Sequence, residues 1–443
     1  METRHHRPEL WRLAQTPDRR RGWSVSGSIP KGWLNGCLEN VVATISSGVS
    51  VNSEGREKAA GEIGILKTSC VTTGSFRPNE HKVVVPVEVE RVSEPVARDT
   101  VIVSRMNTPD LVGASAYIGR DYADLFLPDR LWQVRPSKKA TGRWLSFVIG
   151  SPAMRARLKA IASGTSNSMK NISQDGFLGL PVQVPPIDEQ RRIATVLGTW
   201  DESIDKAECL IAAKQKRFSA VRINLVEALQ VAARGNNSWR PIEFGQIAEE
   251  LKQRNAAGHG PDRVMGVIKG EGLVPMRAHV MASDLRRYLM VPPRAIAYNP
   301  MRLNIGSIAA SRYDEDVLVS PDYVVFRARK GRADPDFLRF LIGTKRWREH
   351  LIAVGSGSVR TRIYFDGLAE MVLRVPDVRE QKRIGQMLAA MEEDLKATIE
   401  AASALRTQKR GLMQKLLTGE WRLDERFDAE ALSPRALVVG GRS

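Results

Sequence analysis

The sequence predicts an α+β protein. We expect two mixed α/β domains separated by a pair of long antiparallel coiled-coil helices, arranged with pseudo-two-fold symmetry. A motif that occurs twice is the first observation behind this prediction: Val184–Ile193 reads VPPIDEQRRI and Val375–Ile384 reads VPDVREQKRI. A heptad-patterned segment follows each copy, and a segment with β-branched runs precedes each copy. The two copies lie 191 residues apart. Because solenoid repeats recur every 20–50 residues or so, a repeat of this length indicates two half-molecules in one chain.

The bulk composition is that of a globular protein without a membrane span. The chain has 443 residues, of which 42% are hydrophobic, and this length allows about three domains. No apolar run approaches the roughly 18 residues that a membrane helix needs. The three scattered cysteines, Cys37, Cys70 and Cys209, form neither a disulfide framework nor a zinc spacing. We therefore expect a cytoplasmic protein with no membrane contact, no metal and no cofactor in this chain.

The charge predicts a polyanionic partner. The formal net charge is +17, and most of the excess lies in residues 28–185 (net +5) and 238–375 (net +7). The segments 186–237 and 376–443 carry only +1 each. Because the excess lies on the predicted globular segments, nucleic acid is the expected ligand, and a merely basic surface is the alternative.

The repeat and the charge together predict six segments. These are a basic N-terminal extension that we expect to be disordered (1–27), a first globular domain (28–185), a first spacer helix (186–237), a second globular domain (238–375), a second spacer helix (376–422) and a C-terminal tail (423–443).

The repeat extends upstream of the doubled motif. At the same offset of 191 residues, Gly164, Ile172 and Asp175 correspond to residues 355, 363 and 366. Each copy holds a Gly/Ser/Thr-rich loop, at 163–170 and at 355–362, followed by a basic and polar patch. The middles of the two domains do not align.

Both globular segments are predicted to be mixed α/β. Strands are expected at Val83–Val89, Thr100–Ser104 and Val317–Val319, where β-branched residues lie between turn formers. Short amphipathic helices are expected at Arg143–Ile161 and Pro335–Leu351.

The two long helices carry an unbroken 4-3 spacing of mostly apolar residues over five heptads each, which is typical of a coiled-coil seam. The residues expected to pair the helices are Ile193, Leu197, Trp200, Ile204, Ile211 and Phe218 in the first and Ile384, Leu388, Met391, Leu395, Leu405 and Leu412 in the second. Asp188 and Asp377 are the expected N-caps, and Gly235 and Gly419 the expected stops. The helices are expected to pair with each other; a generic helical linker and a homodimeric coiled coil are the alternatives.

Catalytic motifs are missing from the sequence. Lys269–Gly272 and Tyr298–Met301 are the fragments nearest to methyltransferase motifs, and both are incomplete. There is no Walker loop and no carboxylate cluster suited to a metal nuclease. The sequence therefore predicts a binding protein, with no catalytic residues.

The candidate DNA-binding residues are cationic and amide side chains, which can contact phosphates and base edges. Those in the two matching loops are Asn167, Lys170, Asn171, Arg360 and Arg362, and lesser candidates are Arg286, Arg287, Arg302, Arg312, Lys138, Lys139 and Arg143. The alternative is that the loops only cap a strand and that their cations are solvated.

The doubled pattern resembles the specificity subunit of type I restriction–modification enzymes. The residues that carry the resemblance are Pro186–Ile193 with Lys214–Arg217, Arg379–Ile384 with Gln408–Gly419, and Ile29–Trp33. The resemblance covers residues 28 to 422 or so.

The resemblance implies a division of labour. Each globular segment would be a target recognition domain that reads half of a bipartite site in double-stranded DNA, and the helices would set the half-site spacing and dock modification (methyltransferase) subunits. S-adenosylmethionine, ATP and Mg would be bound by partner subunits, the last two by restriction subunits that translocate and cleave DNA. The alternative function is a coiled-coil scaffold, or a non-specific DNA-binding interaction protein without such partners.

Overall fold

The computed structural model describes residues 29–164, 168–227, 239–277, 281–355, 362–424 and 427. The chain divides into two compact units. Unit 1 combines residues 1–206 with residues 403–443, and unit 2 comprises Ala207–Ala402. Both units mix helices and strands, as the sequence predicted.

The strands of unit 1 are short and numerous. They are β1 (Leu34–Cys37), β2 (Val42–Ser47), β3 (Ser53–Glu54), β4 (Gly64–Leu66), β5 (His81–Val84), β6 (Pro95–Val96), β7 (Thr100–Ser104), β8 (Met106–Asn107), β9 (Ser115–Ile118), β10 (Tyr122–Phe126), β11 (Leu131–Pro136), β12 (Lys170–Asn171) and β13 (Pro181–Val184).

Unit 2 contains the remaining strands among the described residues. They are β14 (Arg240–Glu243), β15 (Ala248–Leu251), β16 (Met265–Ile268), β17 (Gly272–Pro275), β18 (Leu289–Val291), β19 (Ile296–Tyr298), β20 (Ile308–Ala310), β21 (Val317–Val319), β22 (Val324–Ala328) and β23 (Val372–Val375).

Two helices are much longer than the others. The α-helices are α1 (Gly142–Gly150), α2 (Pro152–Ile161), α3 (Gln174–Leu178), α4 (Ile187–Arg222), α5 (Phe244–Ile247), α6 (Pro335–Leu341), α7 (Lys345–Gly355), α8 (Phe365–Ala369) and α9 (Val378–Leu417). A π-helical segment, Ile223–Glu227, follows α4, and 3₁₀ turns lie at Leu38–Asn40, Thr68–Val71, Pro86–Arg91 and Pro261–Arg263. No helix in the described part of the chain is both long and apolar enough to cross a membrane.

The two units share one sheet topology. Unit 1 contains a four-stranded antiparallel sheet in the order β2-β11-β7-β9, and unit 2 contains one in the order β15-β22-β19-β20. Each unit adds an antiparallel ribbon that joins its first strand to its last, β1 with β13 and β14 with β23. The repeat in the structure therefore includes strands whose sequences do not align.

The divergent middles form different structures. Unit 1 carries a five-stranded sheet in the order β3-β5-β4-β10-β6, whereas unit 2 carries the two pairs β16-β17 and β18-β21. The sequence difference between the two middles is thus a difference in architecture around a common sheet.

Two predicted strands have the predicted bounds, Thr100–Ser104 and Val317–Val319. The strand predicted at Val83–Val89 is wrong beyond Val84, because Pro86 lacks a donor for the sheet and begins a 3₁₀ turn. The helix predicted at Arg143–Ile161 is two helices: Ser151 is extended and caps α2, whose first residue is a proline.

The helix predicted at Pro335–Leu351 is also two helices, because α6 ends at Leu341 and α7 begins at Lys345. Gly343, with φ of 78°, lies between them, a backbone conformation that glycine adopts without strain.

The predicted helix ends are confirmed in part. The Asp377 carboxylate accepts the Glu380 N–H at 3.0 Å, so Asp377 is the N-cap of α9. The prediction for Asp188 is wrong, because α4 already begins at Ile187 and the Asp188 carboxylate binds Arg191 instead. Gly419 has φ of 68° just beyond α9, as a stop glycine should, and Gly235 lies outside the described residues.

A buried glutamine joins the first long helix to the sheet domain of unit 1. Gln190, in the first turn of α4, is fully buried. Its side-chain oxygen accepts the N–H of Thr141, the N-cap of α1, at 3.0 Å. Its amide nitrogen donates to the carbonyl oxygens of Lys139 and Pro185 at 2.8 and 3.0 Å. One side chain therefore ties together the start of α4, the start of α1 and the end of β13.

The second copy of the motif builds the same clamp in unit 2. The Gln381 oxygen accepts the N–H of Asp334, the N-cap of α6, at 3.1 Å. Its amide nitrogen donates to the carbonyl oxygens of Pro376 and Arg332 at 2.9 and 3.4 Å. The doubled Glu-Gln sequence is thus a doubled structural contact, which we call the glutamine clamp.

The predicted seam residues of the long helices are shielded from solvent, together with some of their neighbours on the same helices. All twelve residues expected to pair the helices are buried or half-buried. Within unit 1, Ile193 and Leu197 share a core with Met413 and Leu416. Within unit 2, residues of α4 and α9 also meet in one core, where Phe218, Val221 and Leu225 pack against the cluster that contains Ile384 and Leu388.

Each unit also contains a charged pair between its segments of the two long helices. In unit 2 the ammonium of Lys214 binds Asp394 at 2.7 Å and the Thr398 hydroxyl at 2.8 Å. In unit 1 the ammonium of Lys409 binds Asp201. Lys214, Thr398 and Lys409 are polar residues at seam positions, so each unit satisfies its polar seam residues internally.

A buried carboxylate connects three segments of unit 1 that are distant in the sequence. Glu189 is 4% exposed and accepts two hydrogen bonds from the Arg422 guanidinium, at 2.5 and 2.7 Å. The Trp33 indole N–H donates to it at 2.9 Å, and Arg422 also donates to the Lys31 carbonyl at 3.0 Å. The first described segment, the start of α4 and the segment after α9 therefore meet at one carboxylate.

We predict that Gln190→Leu lowers the free energy of unfolding by about 2–4 kcal/mol, because it leaves buried N–H and C=O groups without partners. Urea unfolding of the variant and the parent measures this difference. Gln414→Leu is the control, since Gln414 lies exposed on α9, and it should change the unfolding free energy little. Equal losses from both variants would contradict the clamp.

Candidate nucleic-acid interface

The first predicted loop is closed at its base in unit 1. Ser163 and Asn171 exchange two backbone hydrogen bonds, of 2.8 and 2.9 Å, so the two ends of the loop are held side by side. The Lys170 ammonium donates to the Gly164 carbonyl at 2.9 Å. A Cβ at Gly164 would lie 2.6 Å from the Met169 carbonyl oxygen. The close approach of the two ends of the loop therefore requires glycine at this position.

The end of this loop lies against the segment that follows β7, one of the two central strands of the four-stranded sheet. The two-residue strand β12 pairs with β8, and the Ile172 N–H donates to the Arg105 carbonyl at 2.9 Å. The Arg105 guanidinium donates to the Asp129 carbonyl at 2.8 Å and lies over the Trp132 ring. Lys170 and Asn171 are therefore neighbours of residues 105–107, which sequence reasoning did not select.

The same arrangement occurs in unit 2. The Ile363 N–H donates to the Pro300 carbonyl at 3.2 Å, which places Arg362 beside the loop that follows the central strand β19. Ile172 and Ile363 are partners in the sequence repeat, whereas Arg105 and Pro300 are equivalent only through these hydrogen bonds. Each unit thus brings the end of its Gly/Ser loop to the loop after its central strand.

Unit 2 adds a third element to this surface. The Ser307 hydroxyl donates to the Val267 carbonyl at 3.4 Å, and the aliphatic part of Lys269 lies over Gly306. The turn between β16 and β17 therefore lies against the 299–307 loop. Arg302, Arg362 and Lys269 are all exposed, and none forms an ion pair with another described residue.

Two predicted residues in the loops, Asn167 and Arg360, lie outside the described residues. The side-chain oxygen of Asn171 is buried without a hydrogen-bond partner among the described residues. Lys170 is half-buried, whereas Arg362 is exposed.

Among the lesser candidates, only Arg302 shares the surface of Arg362. Arg286 lies in the segment before β18 and binds the Asp284 carboxylate at 3.2 Å. The Arg286 backbone N–H and guanidinium lower the pKa of Asp284. Arg287 lies in the same segment and is exposed, and its carbonyl oxygen accepts a hydrogen bond from Arg254.

The remaining lesser candidates lie close to helices. Arg312 forms an ion pair of 3.1 Å with Glu392 of α9. Arg143 lies over the Tyr117 ring and against Gly198 of α4. Lys138 is exposed, and the carbonyl oxygen of Lys139 belongs to the glutamine clamp.

The residues that sequence reasoning missed carry a weak signal. Arg105 directly follows the predicted strand Thr100–Ser104, and Lys269 lies in a glycine-containing turn. Basic residues at strand ends and in turns are common, so this signal alone does not select them.

Comparison with known proteins shows which proteins this chain resembles. The fold of this chain resembles that of a solved S subunit of the type I restriction–modification system of M. genitalium, with a TM-score of 0.56, 12% sequence identity, and coverage of 89% of this chain and 98% of that one. No protein-family model matches the chain.

Curated relatives carry the same designation. The EcoKI specificity subunit of the type I restriction enzyme of Escherichia coli strain K12 is 21% identical over 444 residues, which is 90% of this chain and 92% of the relative. The EcoEI specificity subunit of Escherichia coli is 22% identical over 207 residues, which is 46% of this chain and only 34% of that relative. The homologues of this chain are therefore type I restriction enzyme specificity subunits, and the resemblance predicted from the motifs is confirmed.

We predict that Arg362→Ala weakens DNA binding and reduces the slope of log affinity against log salt by about 1, because one cation–phosphate contact contributes about 0.9 to that slope. Anisotropy of a labelled duplex, titrated with the full chain from about 50 to 200 mM salt, measures the slope. Arg312→Ala is the matched control, since Arg312 pairs with Glu392. Identical slopes for both variants would remove Arg362 from the interface.

Proposed function

We propose that this protein is the non-catalytic DNA sequence-recognition subunit of a type I restriction–modification complex. The observation that carries the proposal is the doubled surface. Each unit brings together the end of a Gly/Ser-rich loop and the loop after its central strand, on the same sheet topology. Two copies of one binding surface in a chain suit a DNA site that has two halves.

The different middles of the units support an asymmetric site. The shared sheet and clamp hold the binding loops in equivalent places, whereas the additional strands differ between the units. Because side chains of different chemistry recognise different base edges, the two units are expected to read two unlike half-sites. Residues 28–185 and 238–375 are the proposed target recognition domains.

The long helices are the proposed spacer. Residues 186–237 and 376–422 would form an antiparallel coiled coil that sets the distance between the half-sites and docks modification subunits. The seam residues and the pairs Lys214–Asp394 and Lys409–Asp201 support this pairing. Half-sites about one DNA turn apart, roughly 34 Å, suit two domains on one face of the duplex.

The chemistry would come from partners. Modification subunits would bind S-adenosylmethionine and transfer the methyl group, and restriction subunits would use ATP and Mg for translocation and cleavage. The coverage of 92% of the EcoKI specificity subunit supports such partners for this chain.

The test is methylation of DNA by the chain together with its modification subunit. We expect methyl transfer from S-adenosylmethionine to one bipartite sequence, and none from the chain alone. Methylation by the chain alone would contradict a non-catalytic role. Binding without sequence preference at every salt concentration would favour the scaffold alternative.

The spacer role makes a separate prediction about length. Insertion of seven residues in heptad register into both α4 and α9 should lengthen the recognised spacer, because each helix gains about 10 Å. The same insertion in α4 alone should abolish the pairing and the methylation. Sequencing of methylated sites measures the spacer, and an unchanged spacer after the double insertion would refute the proposed role.

A further inference from the structure

Three large apolar side chains lie exposed at the candidate interface of unit 2. Ile268, Met301 and Ile305 are 46%, 52% and 58% exposed. Met301 and Ile305 lie in the 299–307 loop, and Ile268 lies at the end of β16, next to the turn that rests on this loop. We call these three residues the apolar crest.

The fold does not use the crest as core. The 299–307 loop is closed by backbone hydrogen bonds, with the Asn299 N–H donating to Ser307 and the Ser307 N–H to Arg302, both at 3.0 Å. Its one core side chain is Leu303, which is 2% exposed. Because Leu303 anchors the loop, Met301 and Ile305 are left at the surface, where clustered apolar side chains indicate a binding site.

The charge around the crest indicates a polyanion as its occupant. Arg302 lies within the same loop, Lys269 adjoins Ile268, and Arg362 adjoins the residue that binds Pro300. Glu271, in the turn with Lys269, is the nearest carboxylate in sequence. Cations around an apolar centre suit a DNA groove, where phosphates flank the base edges.

The loop after β7 in unit 1 differs from the 299–307 loop of unit 2. The Ile172 and Ile363 hydrogen bonds equate Arg105 with Pro300, and counting one and two residues onward along the chain places Met106 opposite Met301 and Asn107 opposite Arg302. Met106 and Asn107 are both half-buried in β8, and the Asn107 amide is bound to Ser104 and Thr108. At this loop position the exposed methionine therefore belongs to unit 2, whereas the exposed methionine next to β12 in unit 1 is Met169, at 38%.

We propose that the crest contacts thymine methyl groups in the major groove of the half-site read by unit 2. This inference rests on the proposed function. The C5-methyl of thymine is the apolar group that a base pair presents in the major groove. The loop would place Met301 or Ile305 against it, while Arg302, Arg362 and Lys269 contact the flanking phosphates.

The test replaces thymine by uracil, which removes only that methyl group. The full chain with its modification subunit is given duplexes of its methylated sequence, with uracil at one thymine position at a time. We expect about a fourfold loss of affinity at one or more positions of one half-site, as burial of one methyl-sized group predicts. Met301→Gln and Ile305→Gln should abolish this uracil sensitivity in that half-site alone.

Ile352→Gln is the control, because Ile352 is 72% exposed on α7 and lies outside the crest. It should leave uracil sensitivity unchanged. Sequence-specific methylation with no uracil effect in either half-site would overturn the inference while leaving the proposed function intact. A half-site pair in which neither half contains an A·T pair would overturn it too.

A protein partner on the crest would give a different result. In that case the glutamine variants would lose assembly with the modification subunit, while any remaining complex kept its uracil sensitivity, and the inference would be wrong. Absence of any sequence preference in the parent complex would instead show that the proposed function has failed.

Discussion

A buried glutamine amide holds each sheet domain to the long helix that follows it. In both units the amide oxygen binds the N–H of the N-cap residue of a core helix, and the amide nitrogen binds two carbonyl oxygens. Three chain segments meet at this one side chain, and an apolar replacement would leave all of their polar groups unsatisfied. The orientation of each candidate interface relative to its helix depends on this contact, because the loops extend from the sheet that the clamp fixes.

The clamp also explains why the motif is doubled. Gln190 and Gln381 hold the same positions relative to Pro185 and Pro376, and each approaches a helix N-cap that lies about fifty residues upstream. The N-caps themselves, Thr141 and Asp334, are chemically different residues. The clamp requires only their backbone N–H, so the domains are able to diverge in sequence while the connection to the helix stays the same.

The candidate interface was only partly predictable. Lys170 and Arg362 were accessible to sequence reasoning because each is the last residue of one of the two matching glycine-rich loops. Arg105 and Lys269 were not, because only the Ile172–Arg105 hydrogen bond and the contact of Lys269 with Gly306 bring them next to the predicted loops. Arg312 is a cation of the kind that contacts DNA, but it forms an ion pair with Glu392. No local sequence pattern distinguishes Arg312 from Arg302. Electrostatic pairing between distant segments decides which cations remain available.

The sequence by itself determined the two-fold repeat, the mixed α/β character, the heptad pattern of the long helices and the family resemblance. Each of these depends on local periodicity or on short motifs, which are present in the chain before it folds. Only the tertiary structure decided the common sheet order of the two units, the role of the doubled glutamine and the exposure of the apolar crest. Strand order, buried hydrogen bonds and solvent exposure depend on which distant segments meet. A one-dimensional pattern does not specify those contacts, because many alternative pairings satisfy the same local preferences.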